Sequence, residues 1–212
     1  PIGVLVEALK SLGAEIDFLE TDGCPPLRIK GKHLTRNSTS LPANVSSQYI
    51  SALLLIAPSL PNGLTLELIG KITSVPYIKM TLSLLEQLGV ATTFKGNIIT
   101  VAHKSEVANL ALEVESDWSS ASYFYSILAL SAPGSEITLR SYRSNSLQGD
   151  SVSQKIYEAF GVETQFANQT MTLHKKDAEL PQVFECDLAN APDIAQTLAV
   201  TCFGLGIGCH LT

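Results

Sequence analysis

The sequence is short of the features that mark several protein classes. Basic residues are in the minority, 14 Lys and Arg against 20 Asp and Glu, for a net charge of −6. There is no basic stripe of the kind a nucleic-acid or anionic-membrane surface requires. Only four cysteines are present, Cys24, Cys186, Cys202 and Cys209, with no C-x-x-C pair, and the four histidines are scattered. That spacing does not make a zinc site, and the cysteines are expected to be reduced and buried in a cytosolic protein. In that setting the sequons at Asn37, Asn44 and Asn168 carry no glycan. Apolar runs are brief: residues 50–58 fall well short of the roughly 18 that a membrane span needs. No charged stretch with an apolar core opens the chain, so no signal peptide is read. The chain starts at Pro1 without a methionine, as a segment of a longer polypeptide would. Nucleophilic-serine elbows and P-loops are also missing. Gly204-Leu205-Gly206-Ile207-Gly208 imitates a dinucleotide loop but follows a predicted helix instead of a strand, which rejects it.

What is present is a hydrophobic fraction of 45% against 16% charged residues, the balance of a globular protein with a filled core. Within it one pattern recurs. Asn44-Val45-Ser46-Ser47-Gln48-Tyr49 opens an apolar helix, Asp117-Trp118-Ser119-Ser120-Ala121-Ser122 opens another, and Asn190-Ala191-Pro192-Asp193-Ile194 a third. Residues 44, 117 and 190 are equally spaced, and a fixed period means a repeated supersecondary unit. Ser47, Ser120 and Asp193 occupy the same place in that alignment, and Asn44 is the expected N-cap of the first copy.

The remaining pattern fills in the unit. Ile2, Leu5, Leu9 and Leu12 recur at helical spacing before Gly13, and strands are expected at 14–18, 27–29 and 40–42. After the helix at 46–57 come an alternating strand at 64–69 and a helix from about Ser74, with Pro76 in its first turn. A hairpin of 90–94 and 98–102 turns at Gly96-Asn97. The order then repeats: a strand ending at Ser116, a helix at 118–131, a strand at 136–140, a helix at 149–160 and a hairpin around Ala167-Asn168. A third round starts with a strand at 183–188 and a helix at 192–205. The unit is βαβαββ: half of one, two complete, and the front half of a fourth. Short βαβ crossovers make the class α/β (or α+β), with 1–112 and 113–212 expected as parts of two domains.

Repeated helices that point the same way gather their positive dipole ends, which is a physical reason to expect an anion. Ser46 and Ser47 at one helix start, and Ser74 with Tyr77 at another, could hold a phosphate; plain capping is the simpler reading, and more so for Ser74 with Tyr77. Asp193 could orient or deprotonate a hydroxyl. Stabilisation of the helix dipole explains it equally well, although the two sister positions carry serine. Asp117 reads as an N-cap.

Taken in order, the motifs resemble the 5-enolpyruvylshikimate-3-phosphate synthases (3-phosphoshikimate 1-carboxyvinyltransferases). They are Pro1-Ile2-Gly3 with Leu12-Gly13-Ala14, Gly23-Cys24-Pro25-Pro26-Leu27, Ser46-Ser47-Gln48-Tyr49, Ser74-Val75-Pro76-Tyr77, residues 117–124, Gln148-Gly149-Asp150 and Pro192-Asp193. The resemblance implies an enolpyruvyltransferase-like inside-out α/β barrel of two domains closing on substrates, here incomplete. It implies transfer of the enolpyruvyl group of phosphoenolpyruvate to the 5-hydroxyl of shikimate 3-phosphate, by addition and elimination, with no metal or organic cofactor. By matching motif, Ser46, Ser47 and Ser74 would bind shikimate 3-phosphate and Tyr77 would line that site. Gln48 would contact the phosphoenolpyruvate side, and Asp193 would hold the reacting hydroxyl and accept its proton. A monomeric, cytoplasmic complete enzyme is expected, with no nucleic-acid or membrane partner. Val75 stands where the family carries lysine or arginine, and most of the family's cationic clamp falls outside residues 1–212. The segment alone is therefore expected not to turn over. The rival readings are the related UDP-N-acetylglucosamine enolpyruvyltransferase and a non-catalytic repeat domain whose helix starts merely cap.

Overall fold

The structure, a computed structural model, describes residues 1–44, 46–168 and 170–212. They divide into two compact units, Pro1–Leu110 and Ala111–Thr212. In the first, helix α1 (Gly3–Ser11) turns Val6 and Ala8 inward. Strands β1 (Glu15–Phe18) and β2 (Leu27–Lys30) follow as an antiparallel pair. The main sheet has the order β3 (Ser38–Pro42), β4 (Leu64–Ile69), β6 (Ile98–Val101), β5 (Thr92–Lys95). Only β3 and β4 are parallel, which obliges a crossover between them. Helix α2 (Ser47–Ile56) and a 3-10 turn at Ala57–Ser59 supply it. Helix α3 (Val75–Gln87) then leads from β4 to β5. Helix α2 buries Ile50, Leu53 and Leu54, and α3 buries Ile78, Thr81, Leu82 and Leu85, the three- and four-residue steps of one helix face. Both faces close on Leu64, Leu66 and Leu68, the inward half of an alternating strand. Gly63 enters that strand at φ +65°, where an added Cβ would stand 2.3 Å from the carbonyl oxygen of Val101. Only glycine fits there.

The second unit repeats the plan with different packing. It contains α4 (Trp118–Ala129), β7 (Glu136–Arg140), α5 (Ser153–Ile156), β8 (Val162–Ala167), β9 (Thr170–Lys175), β10 (Val183–Cys186), α6 (Ala195–Leu205) and β11 (Gly208–Leu211). Strands β7, β9 and β8 form an antiparallel sheet with β9 central, and β10 and β11 form a parallel pair. The core is aromatic: Trp118, Tyr125, Tyr157 and Phe160 are fully buried, with the Tyr125 and Tyr157 rings 5.1 Å apart. Burial pushes the Tyr157 phenol up to about 12.

The sheets are open and no closed barrel forms among the described residues, in keeping with the incomplete barrel expected. Other expectations give way. The helix expected over 149–160 is three short pieces, a 3-10 turn at Gly149–Val152, α5, and a second 3-10 turn at Tyr157–Phe160. Asp150 is buried and accepts a hydrogen bond from Ser119 Oγ, which commits the first turn to tighter winding. No strand ends at Ser116. One bond of the parallel pair survives, Ser116 N–H to Ser141 O at 2.8 Å, matching Ala43 to Ile69 at 2.8 Å and Leu188 to Thr212 at 2.7 Å in the neighbouring copies. The Glu115 carboxylate bonds instead to groups at 118, 143 and 146, and these side-chain bonds take the place of a ladder.

The helix cores repeat as well: the buried spacing of Ile50, Leu53, Leu54 and Ala57 recurs at Ser122, Tyr125, Ser126 and Ala129 and again at Ile194, Thr197, Leu198 and Thr201. Of the four free cysteines only Cys202 is buried, Cys24 and Cys186 being half-buried and Cys209 exposed. The Cys202 thiol is pushed up to about 12, first by burial and then by Cys209 beside it. No described helix is long and apolar enough to cross a membrane.

Candidate functional site

Because β3 and β4 are parallel and in register from Ser38–Thr65 to Pro42–Ile69, the chain leaves both at the same edge of the sheet. Helices α2 and α3 therefore begin at that edge, the end of a parallel pair where ligands of α/β folds gather. The helices are held together by Ser51 Oγ and Thr81 Oγ1, 3.0 Å apart. Ser46, Ser47, Gln48, Ser74 and Tyr77 thus share one end of the first unit. Ser46, not Asn44, is the N-cap: its Oγ accepts the Gln48 N–H at 3.2 Å. Ser46 and Gln48 are exposed and Ser47 half-buried.

Ser74 departs most from ordinary geometry. It precedes α3 at φ 54°, ψ 36°, a left-handed conformation uncommon for serine, and its side chain does not cap the helix. Its carbonyl accepts the Tyr77 N–H at 3.1 Å. Backbone strain of about 1–3 kcal/mol persists where the surroundings impose it, often at binding sites. Ser74→Gly is expected to leave stability unchanged or to raise it by up to about 1 kcal/mol, because glycine adopts this conformation without a Cβ clash. Urea unfolding of the variant, set beside its affinity for a phosphorylated ligand, reads both effects. A binding role for the hydroxyl requires affinity to fall while stability holds.

Neither α2 nor α3 has an acidic residue in its first turn, so no carboxylate of its own first turn competes with an anion for either helix dipole. The start of α4 is occupied. Asp117 caps it, accepting the Ser119 and Ser120 N–H groups at 3.1 Å each and the Ser120 hydroxyl at 2.6 Å, while Asp150 takes the Ser119 hydroxyl. Desolvation raises the Asp117 carboxyl, but the hydrogen bonds from Ser120 and Ser119 outweigh it and hold the group below its usual value. With the folded pKa depressed, the cap stabilises at neutral pH and its contribution is lost as pH falls from about 4 through the folded value. Asp117→Ala is expected to destabilise by about 1 kcal/mol at pH 7 and by progressively less under acid. Urea midpoints at a series of pH values check this.

Sequence reasoning missed the groups behind this helix start. Glu115 accepts the Trp118 indole N–H at 2.9 Å, the Arg143 amide at 3.1 Å and the Ser146 hydroxyl at 2.8 Å. Gln148 accepts the Trp118 N–H and donates to Ser116 O, both at 2.9 Å. The motif Gln148-Gly149-Asp150 was the only signal in the chain, and two of its three residues hold the entrance to α4.

Asp193 lies in the second unit, in a 3-10 turn at Pro192–Ile194 that runs into α6. It was expected inside the helix; the change follows from the tight turn, in which Ala195 N–H bonds back to Pro192 O. Asp193 is exposed beside fully buried Ile194, and its carbonyl accepts Gln196 Nε2 at 2.5 Å. A carboxylate at this helix start disfavours phosphate and suits a hydroxyl. Among the described residues no group of three His, Cys, Asp or Glu side chains could hold a metal ion.

The two units, built of open sheets in which α2 and α6 each cross between a pair of parallel strands, define an enolpyruvyltransferase-type α/β fold. The solved EPSP synthase from Acinetobacter baumannii superposes on the whole chain with a TM-score of 0.70 at 19% identity, this chain covering 48% of that one. The model of the EPSP synthase (3-phosphoshikimate 1-carboxyvinyltransferase) family matches residues 1–205, and the chain belongs to that family. The 3-phosphoshikimate 1-carboxyvinyltransferase of Bacteroides fragilis YCH46 is 42% identical over 212 residues, all of this chain and 51% of that protein. That of Colwellia psychrerythraea is 35% identical over 204 residues, 95% of this chain and 46% of the relative. The chloroplastic enzyme of Nicotiana tabacum is 35% identical over 210 residues, 94% and 40% respectively. The chain spans about half the length of the curated relatives it matches.

Proposed function

We propose that the complete protein transfers the enolpyruvyl group of phosphoenolpyruvate to the 5-hydroxyl of shikimate 3-phosphate, a step of aromatic amino-acid biosynthesis, as a monomeric cytoplasmic enzyme without metal or organic cofactor. The observation that carries this is the family match over residues 1–205, joined to relatives named for that transfer. The units Pro1–Leu110 and Ala111–Thr212 then stand as parts of the two enolpyruvyltransferase domains.

In this reading Ser46, Ser47 and Ser74 bind shikimate 3-phosphate, with the helix starts of α2 and α3 free of acidic side chains to receive the phosphate. Tyr77 lines the same site and Gln48 contacts phosphoenolpyruvate. Asp193 orients the 5-hydroxyl and accepts its proton as the oxygen adds to C2 of phosphoenolpyruvate and C3 takes up a proton; loss of a C3 proton with cleavage of the C2–O bond to phosphate then restores the double bond, releases phosphate and leaves the enolpyruvyl ether. Incubating the complete protein with both substrates should release phosphate and form that ether. Transfer to UDP-N-acetylglucosamine in place of shikimate 3-phosphate, or to neither acceptor, would overturn the proposal.

A further inference from the structure

Helices α4 and α6 meet across a line of buried hydroxyls. Ser122, Thr197 and Thr201 are 0%, 4% and 0% exposed, and Ser126 is 8% exposed. Ser122 Oγ stands 3.1 Å from Thr197 Oγ1 and 2.6 Å from Ser119 O. Thr201 Oγ1 stands 2.8 Å from both Ser126 Oγ and Thr197 O, and the buried Tyr157 hydroxyl completes the line 3.1 Å from Thr201. The matching places in the first unit are apolar: Ser122 and Ser126 correspond to Ile50 and Leu54 of α2. A hydrophobic seam there would bury as much surface without any polar group to satisfy. Hydroxyls at matched heights add something an apolar seam lacks. Ser122 and Thr201 also bond to carbonyls of their own helices, so a slip of one residue, about 1.5 Å along the axis, would take from Thr197 and Ser126 the cross-helix partners that match them in this register.

Thr197 lies in the first turn of α6, four residues after Asp193 and directly behind the 3-10 turn that carries it. Thr197 is thus the buried hydroxyl nearest the turn that carries Asp193, a turn whose own Ile194 is also buried. We propose that the Ser122–Thr197 contact, backed by Ser126, Thr201 and Tyr157, fixes the axial and rotational setting of the Pro192–Ile194 turn, making Thr197 and Ser122 positioning residues for Asp193. The catalytic consequence rests on the reading of Asp193 proposed above; the structural consequence does not.

The test separates the two. In the 212-residue chain, Thr197→Val keeps the side-chain shape and removes the hydroxyl. Amide exchange at Ala195, which reports the Pro192–Ile194 turn through its bond to Pro192 O, should quicken about tenfold or more, with the β8–β9 amides unchanged. Thr197→Ser should restore slow exchange, and Ser122→Ala should reproduce the effect without adding to it in the double variant. In the complete protein, Thr197→Val should lower kcat roughly ten- to a hundredfold with a smaller change in KM, as misplacement of a reacting group does. Unchanged Ala195 exchange in both Thr197→Val and Ser122→Ala, uniform acceleration across the unit, or failure of Thr197→Ser to rescue would each overturn the positioning role. A local exchange effect in a protein whose Asp193→Asn variant is fully active would leave the positioning role standing and sink the catalytic reading instead.

Discussion

Asp193→Asn in the complete protein is expected to lower kcat/KM by more than about a hundredfold, the ordinary reach of a lost general base. Asparagine keeps the size of the side chain and an oxygen that can accept a hydrogen bond, but it cannot take a proton. Its neighbours sharpen the expectation. The matching positions of the sequence repeat in the other two helix starts hold Ser47 and Ser120, neither ionised at neutral pH. Asp193 is exposed at the front of α6, and the fully buried Ile194 anchors the turn behind it. The change should fall mainly on kcat, since shikimate 3-phosphate affinity is assigned to Ser46, Ser47 and Ser74 in the first unit. Steady-state rates of phosphate release against both substrates check this. Near-normal kcat in Asp193→Asn would leave the residue as a partner of the helix dipole and favour a scaffold that merely caps.

The largest effect on stability is expected at Trp118. Trp118→Ala should cost the second unit about 3–5 kcal/mol, the range for truncating a buried aromatic. Its ring is fully buried, meets Tyr142 edge-on at 5.3 Å and lies 6.3 Å from Phe166. The same residue is polar at both ends of its attachment. Its indole N–H bonds to Glu115 and its backbone N–H to Gln148. Truncation therefore opens a cavity and leaves Glu115 short of a donor. Exchange of the β8–β9 amides should accelerate by two to three orders of magnitude or more, each tenfold step being about 1.4 kcal/mol. Trp118→Phe should lose less, because it refills most of the volume while still forfeiting the indole donor. Equal losses in the two variants would mean that the indole N–H, and not the packing, holds the site.

The parts legible in the sequence were those governed by short-range periodicity. Strands β4 and β7 were read to their terminal residues, because an alternating pattern bounded by turn residues has one register only. Helix starts were read less well. Asn44 and Ser46 both carry side chains able to cap, and the choice went to Ser46 because that is where the chain leaving β3 first takes up helical geometry. The pattern at 149–160 is equally helical on paper. Its breakage depends on Asp150 meeting Ser119, 31 residues away. The site residues came from a second source, the order of short motifs along the chain, since serine at a helix start is ordinary by itself.

The sequence alone determined the alternation of strands and helices, the repeated unit, and the family that its motifs resemble, all of which depend on neighbours within a few residues or on their order. Which helix starts could receive an anion was decided only by the tertiary structure. Asp117 and Asp150 together fill the front of α4, and the second of these reaches it through packing. The starts of α2 and α3 hold no such carboxylate in their first turns and share one sheet edge because β3 and β4 run parallel. A helix dipole acts over one turn, so its availability depends on which charges the fold brings within that distance.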